Sequence, residues 1–128
     1  MTALAVVAVP DSILPEVTLP RQARPVVPRR LNFAMLTHNA LDCTRRAIAS
    51  LCATTGAPFN LFVVDNDSRD ESRSWLAGLD DERVHVRFAP RNLGVPGGRN
   101  ALLRTMLPHV RDEDFLIFVD NDLEFLPG

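Results

Sequence analysis

The sequence predicts an α/β fold, a mostly parallel sheet flanked by helices, and three observations predict it. Short apolar runs recur as strand candidates at 31–36, 61–64 and 115–119. Segments of helical period separate them, and strands separated by helices imply parallel pairing with right-handed crossovers. Three runs end in polar clusters: Thr37-His38-Asn39, Asp65-Asn66-Asp67 and Asp120-Asn121-Asp122. In a parallel sheet all three ends lie on the same edge, where ligands of open α/β sheets bind.

Residues 1–30 differ from the rest. They hold Pro10, Pro15, Pro20, Pro25 and Pro28, five of the ten prolines, and end in Arg29-Arg30. Proline at this density blocks helices and central strands. The expectation is an extended N-terminal arm with a short edge strand near Leu4 to Val9. The apolar start lacks a preceding basic residue, so a secretory signal is not expected.

Leu31 to Leu36 reads as the first strand, and a helix fits residues 41–54. Leu41, Ile48, Leu51 and Cys52 fall near one face of it, and Asp42, Arg45 and Arg46 near the other. Gly56 and Pro58 stop it. Leu61 to Val64 is the second strand. Ser68 followed three residues later by Glu71 has capping-box form and opens a helix through about Leu79, with Trp75, Leu76 and Leu79 as its apolar stripe. Val84 to Phe88 alternates, so it is a strand with one more polar face. The Gly- and Pro-rich run from Ala89 to Gly98 reads as a loop, followed by a helix from about Arg99 to Leu107.

The closing strand, Phe115 to Val119, is an unbroken apolar run and reads as buried on both faces. Alternation puts Asp120 and Asp122 on one face, roughly 6.6 Å apart along the chain. Two hard oxygen donors there suit a divalent cation, Mn²⁺ or Mg²⁺, of the kind shared with substrate phosphates. The whole order predicts a Rossmann-like nucleotide-binding half with strand order 3-2-1-4.

Composition sets outer bounds. The 128 residues make one domain the default, and 46% hydrophobic residues suffice for a core. Fourteen basic residues, all arginine, stand against 16 acidic ones, a net charge of −2 that gives no broad field for nucleic acid. Cys43 and Cys52 sit nine positions apart on one predicted helix and cannot pair without distorting it, so a reduced, cytoplasmic setting is expected. No apolar stretch reaches membrane-spanning length. His85 and His109 have no metal-type partner nearby and read as structural, and Trp75 reads as core.

Four segments carry a family resemblance: Leu36 to Asn39, Val63 to Asp70, Arg91 to Asn100 and Val119 to Asp122. In this order and spacing the chain resembles the inverting GT-A glycosyltransferases of family 2, most closely the rhamnosyltransferase-like branch. The likeness covers about residues 31–128. It implies a GT-A nucleotide-diphosphate-sugar-binding domain over 31–128 behind the arm of 1–30. Thr37, His38 and Asn39 would line the base pocket, with His38 stacking where a Tyr is frequent. Asn66, with Asp65, would contact the base edge; an Asp is more usual at position 66. Asn92, Gly94 and Arg99 would lie along the nucleotide-sugar. Asp122 would ligate the cation, and Asp120 would contact the ribose or the metal's water shell, as a DxD motif.

The resemblance implies transfer of a sugar with inversion, in cell-envelope polysaccharide assembly. The donor is a nucleotide-diphosphate-sugar, and the acceptor a saccharide or lipid-linked one. Peripheral association with the inner face of the membrane is compatible with it. The general base of such enzymes is a carboxylate well after the DxD strand, and this sequence ends six residues past Asp122, at Gly128. The expectation is a donor half without its acceptor half, which alone transfers no sugar. The alternative is a non-catalytic nucleotide-sugar-binding or interaction module.

Other readings fit less well. A haloacid-dehalogenase-type phosphatase wants Thr or Val two residues after its second Asp, where Glu124 stands, and opens its domain with the motif. A dinucleotide fingerprint is missing after the first strand. An EF-hand at Asp65 fails at its sixth and twelfth positions, Asp70 and Leu76.

Overall fold

The computed structural model describes residues 29–128, so the arm of 1–30 and its strand near Leu4 to Val9 lie outside the described residues apart from Arg29 and Arg30. The elements follow the predicted order: β1 (Leu31–Thr37), α1 (Leu41–Thr54), β2 (Phe59–Asp65), α2 (Ser72–Ala77), β3 (Val84–Phe88), α3 (Gly94–Met106), a 3₁₀ turn (Leu107–His109) and β4 (Phe115–Asp120). The sheet order is β3-β2-β1-β4, as expected, and every pairing is parallel.

Each face of the sheet buries its own apolar layer. On one face Phe33 and Met35 of β1 and Phe59, Leu61 and Val63 of β2 pack with Ala47, Ile48 and Leu51 of α1 and Leu76 of α2. On the other, Ala34, Phe62 and Val64 pack with Leu102 and Met106 of α3. Two-residue alternation along the strands and a stripe of period 3.6 on the helices produce this double layer. Trp75 is half-buried against the first layer, with the Arg45 guanidinium 5.5 Å from its ring centroid. Cys43 and Cys52 are both free. Among the described residues no helix is long and apolar enough to cross a membrane.

Three local expectations are corrected. β4 is not buried on both faces, because the strand order leaves it at the sheet's edge. Val119 alone of its residues is buried, while Phe115 and Phe118 are 48% and 44% exposed. The capping box does not form. α2 begins at Ser72, and Ser68 Oγ instead accepts the backbone N–H of Asn39 at 2.9 Å. α3 begins at Gly94, so the second half of the expected loop, Gly94 to Gly98, is helical. Its first turn accommodates Pro96 because the first four N–H groups of a helix have no intrahelical partner to lose.

Candidate functional site

The C-terminal edge of the sheet is built from two clasped loops and one helix start. After β1, Asn39 adopts a left-handed φ of 49°, and after β2, Asp67 one of 64°. Asn and Asp tolerate this region better than other side chains. Asn39 Oδ1 accepts the backbone N–H groups of Arg69 and Asp70, and its own N–H reaches Ser68. These bonds join positions about thirty residues apart and fix the β1 and β2 ends side by side.

His38 sits in this clasp with both ring nitrogens engaged. Nδ1–H donates to the Asn66 carbonyl at 2.9 Å, and Nε2 accepts from Asn39 Nδ2 at 3.0 Å, a pattern that assigns one neutral tautomer. Asn66 is 4% exposed and uses its whole amide. Oδ1 accepts the backbone N–H of Leu93 at 2.8 Å, and Nδ2 donates to Asn92 Oδ1 and the Gly94 carbonyl, each at 3.2 Å. Asn92 Oδ1 also caps the Gly94 N–H at 2.8 Å. Gly94 has a φ of 68°, the conformation that favours glycine. A Cβ at Gly98 would stand 2.5 Å from a Leu36 methyl, so α3 approaches β1 there only because the residue is glycine.

Asp65 lies below this surface with no exposure. Its Oδ2 accepts the Ser68 N–H at 3.2 Å and faces the Arg73 guanidinium at 3.5 Å, and Oδ1 has no hydrogen-bond partner among the described residues. Arg73 is itself stacked on the Phe88 ring at 4.7 Å. Breaking such a pair by removing one partner costs about 3–5 kcal/mol where both are buried, and less here because Arg73 is half-exposed.

A cavity of about 400 Å³ opens between β1, β4 and α3. Of the residues the sequence singled out, Thr37, His38, Asn66, Asn92, Gly94, Arg99 and Asp120 line it. Asn39, Asp65 and Asp122 do not: the first clasps the loops, the second is buried beneath them, and the third is exposed in the turn after β4. β4 ends at Asp120, so Asp120 and Asp122 do not share a strand face, which corrects the spacing argument. The Arg99 guanidinium lies 5.7 Å from the Phe118 ring centroid and 3.9 Å from Asp120 Oδ1.

Asn121 was missed in sequence. Its Nδ2 donates to Thr37 Oγ1 and to Thr44 Oγ1, both at 3.2 Å, and those hydroxyls are 2.7 Å apart in the core. It therefore ties the turn that carries both carboxylates to β1 and α1. Strand alternation does not report it, because β4 ends at Asp120 and Asn121 lies in the turn beyond. Leu36 and Phe118 also line the cavity, where their position follows from the alternation of β1 and β4.

The carboxylate pair fits a hard cation in one respect. Both side chains are exposed, and Asp120 has a single long ion pair, so their oxygens are available. Among the described residues no group of three or more His, Cys, Asp or Glu converges into a cage. One or two carboxylates completed by phosphate oxygens and water is the set that Mg²⁺ ordinarily takes.

Comparison with known proteins bears on this geometry. The family model described as glycosyl transferase family 2 matches residues 33–128. The succinoglycan biosynthesis protein ExoO of Rhizobium meliloti (strain 1021) is 35% identical over 71 residues, covering 56% of this chain and 20% of its own length. ExoW, also a succinoglycan biosynthesis protein of that organism, is 36% identical over 85 residues, covering 65% and 26%. The chain thus spans only a minor part of these relatives. Among solved structures, S. aureus TarS 1-349 superposes with a TM-score of 0.59 at 26% identity, covering 73% of this chain and 27% of that one. The same protein in complex with UDP gives a TM-score of 0.60 at 24% identity, which supports the fold alone.

Proposed function

This chain belongs to glycosyl transferase family 2, and on that premise we propose that residues 31–128 bind a nucleotide-diphosphate-sugar as the donor half of an inverting sugar transferase. The observation that carries the reading is convergence. Four separated segments supply Thr37 and His38, Asn66, Asn92 to Arg99, and Asp120 to one cavity at the ligand-binding edge of a parallel sheet.

Each residue takes a role that its chemistry allows. His38, fixed by two hydrogen bonds, presents an imidazole face for the base to stack on, beside Thr37. Asn66 acts through the loop it holds, because its amide is spent on Leu93, Asn92 and Gly94. Gly94 lets backbone approach the donor closely. Arg99 offers charge-assisted hydrogen bonds to a diphosphate or sugar oxygen. Asp120 receives the ribose or a cation's water, and Asp122 a cation ligand position. A divalent cation bound there supplies Lewis-acid neutralisation of the leaving nucleoside diphosphate. No residue around the cavity is assigned the role of general base. The relatives' names, succinoglycan biosynthesis proteins, support a saccharide or lipid-linked acceptor and a role in polysaccharide assembly.

The test is thermal-shift titration of the full chain with UDP-, dTDP- and GDP-sugars, with and without Mn²⁺. One nucleotide should stabilise the chain, with a cation-dependent increment that Asp122→Ala removes. A dTDP-sugar as the preferred ligand would favour the rhamnosyltransferase-like branch. No stabilisation by any of the three would sink the donor reading, and an increment unchanged by Asp122→Ala would sink the metal role.

A further inference from the structure

We propose that the opposite, N-terminal edge of the sheet holds a second site, which binds a phosphate-type anion. An open cavity of about 430 Å³ lies there, between Arg30 before β1, the start of β2 and β3, and the turn ahead of β4. His85 of β3, His109 of the 3₁₀ turn and Arg111 complete its donor set. These residues come from separate parts of the chain and take no part in the donor cavity.

The cavity holds unspent donors in fixed positions. The imidazoles of His85 and His109 are parallel within 2°, their centroids 6.4 Å apart. Both stack on the buried Phe62 ring, at 4.9 and 5.8 Å, so packing fixes their planes. Among the described residues neither imidazole makes a hydrogen bond, and the Arg111 guanidinium has neither hydrogen bond nor ion pair. The Arg30 guanidinium makes one bond, to Asn60 Oδ1 at 3.3 Å. Asp114, the carboxylate in the cavity wall, accepts the backbone N–H groups of Arg30 and Arg111 at 3.0 and 3.1 Å. It closes the turn rather than pairing with the guanidinium groups. Arg29 is taken by Glu113 at 3.0 Å and is not counted.

The chemistry selects an anion. Two guanidinium forks and two imidazole N–H groups match the several acceptor oxygens of a phosphate. A cation is disfavoured by the guanidinium charges, and no cage of His, Cys, Asp or Glu exists among the described residues. Burial and the neighbouring His109 hold the His85 imidazole below its ordinary pKa, so an anion seated between the rings would raise it. The phosphate group can come from a soluble phosphoryl compound or from a lipid headgroup, since both present the same oxygens.

The experiment follows the His85 and His109 ring protons of the full chain by NMR during titration with inorganic pyrophosphate. In parallel, the chain is sedimented with vesicles of phosphatidylcholine alone or mixed with phosphatidic acid. Saturable shifts at both imidazoles are expected. The Arg30→Gln, Arg111→Gln double variant should weaken binding by at least about tenfold, the size of one charge-assisted hydrogen bond lost. Pyrophosphate binding without vesicle binding assigns a soluble ligand, and arginine-dependent binding to phosphatidic acid vesicles assigns a headgroup. Ring protons unmoved by either probe, or binding indifferent to the two arginines, would overturn the site. None of these outcomes depends on the donor reading.

Discussion

Asn66 Oδ1 accepts the backbone N–H of Leu93 at 2.8 Å, so the end of β2 holds the start of α3 through one side chain. The same amide donates to Asn92 and Gly94, which makes it the hub of the glycine-rich turn. The turn's left-handed Gly94 therefore has its conformation set from across the sheet edge as well as by the local cap from Asn92.

Asn66→Ala removes all three bonds at a 4% exposed position, while of the partners Asn92 and Gly94 are exposed and Leu93 is half-buried, so water takes up part of the loss. The expected loss is about 1 kcal/mol in urea denaturation, the net worth of hydrogen bonds whose partners water can reach. Amide exchange at Leu93 and Gly94 should accelerate more than elsewhere. Asn66→Asp keeps the acceptor for Leu93 but sets a carboxylate against Asn92 Oδ1 and the Gly94 carbonyl, so it should loosen the same two amides less than alanine does. Exchange at Leu93 unchanged in both variants would disprove the hub.

Gly98 and Leu36 give a second prediction. Alanine in a helix interior gains about 1 kcal/mol over glycine. Here the added methyl would stand 2.5 and 2.6 Å from the two Leu36 methyls, and overpacking of this kind costs about 1–3 kcal/mol. The clash wins or at best cancels the gain, so Gly98→Ala should not raise the melting temperature. Displaced Leu36 intrudes on the cavity wall, so nucleotide affinity should fall further than stability. Adding Leu36→Ala should restore part of the affinity, and a purely additive double mutant would rule out the contact.

How much of this was legible in the sequence follows from range and from edges. The strands and their order were readable because buried parallel strands are apolar runs and crossovers are right-handed. The apolar run alone hid the exposure of Phe118, since it looks the same at the centre of a sheet and at its margin, although the predicted strand order already set β4 at the margin. Pro96 and three glycines made the start of α3 look like a loop, because residue preferences at a helix's first turn differ from those of its interior. The capping reading of Ser68 failed for a different reason. Its hydroxyl has a tertiary partner, Asn39, 29 residues away, and no local pattern reports that competition. Asn121 was hidden by its neighbours. Two carboxylates drew the chemical reading, while the inward amide that anchors them bonds to Thr37 and Thr44.

Acid should expose one surface pair. Arg83 donates to Asp81 through Nε at 2.9 Å, Nη2 at 2.7 Å and its backbone N–H at 3.0 Å, and these bonds hold the carboxylate down to about 2 from an ordinary 3.8. A lowered carboxylate pKa contributes stability above the unfolded value and loses it as pH falls through the folded one. The contribution is therefore complete above about pH 4 and gone near pH 2. Water reaches both side chains, 39% and 29% exposed, and screens the pair, so the contribution is small. Asp81→Asn should lower stability slightly at pH 6 and flatten the decline between pH 4 and 2, by urea titration at each pH. Parallel curves for both chains would refute the linkage.

Arg99 separates binding from folding. Its guanidinium is 52% exposed, 3.9 Å from an Asp120 carboxylate that is 74% exposed, so their ion pair is worth little, under about 1 kcal/mol. The same guanidinium lies beside the Phe118 ring on the cavity wall, ready to turn to a diphosphate. Arg99→Ala should therefore leave the urea midpoint nearly unchanged and weaken nucleoside diphosphate binding about tenfold, the worth of a charge-assisted bond. Arg99→Lys keeps the charge but loses the two-pronged geometry, so its affinity should fall between the two. Calorimetric titration with the preferred nucleoside diphosphate measures both. Equal losses of stability and affinity in the alanine variant would mean that Arg99 serves the fold, and an affinity indifferent to both substitutions would remove it from the donor site.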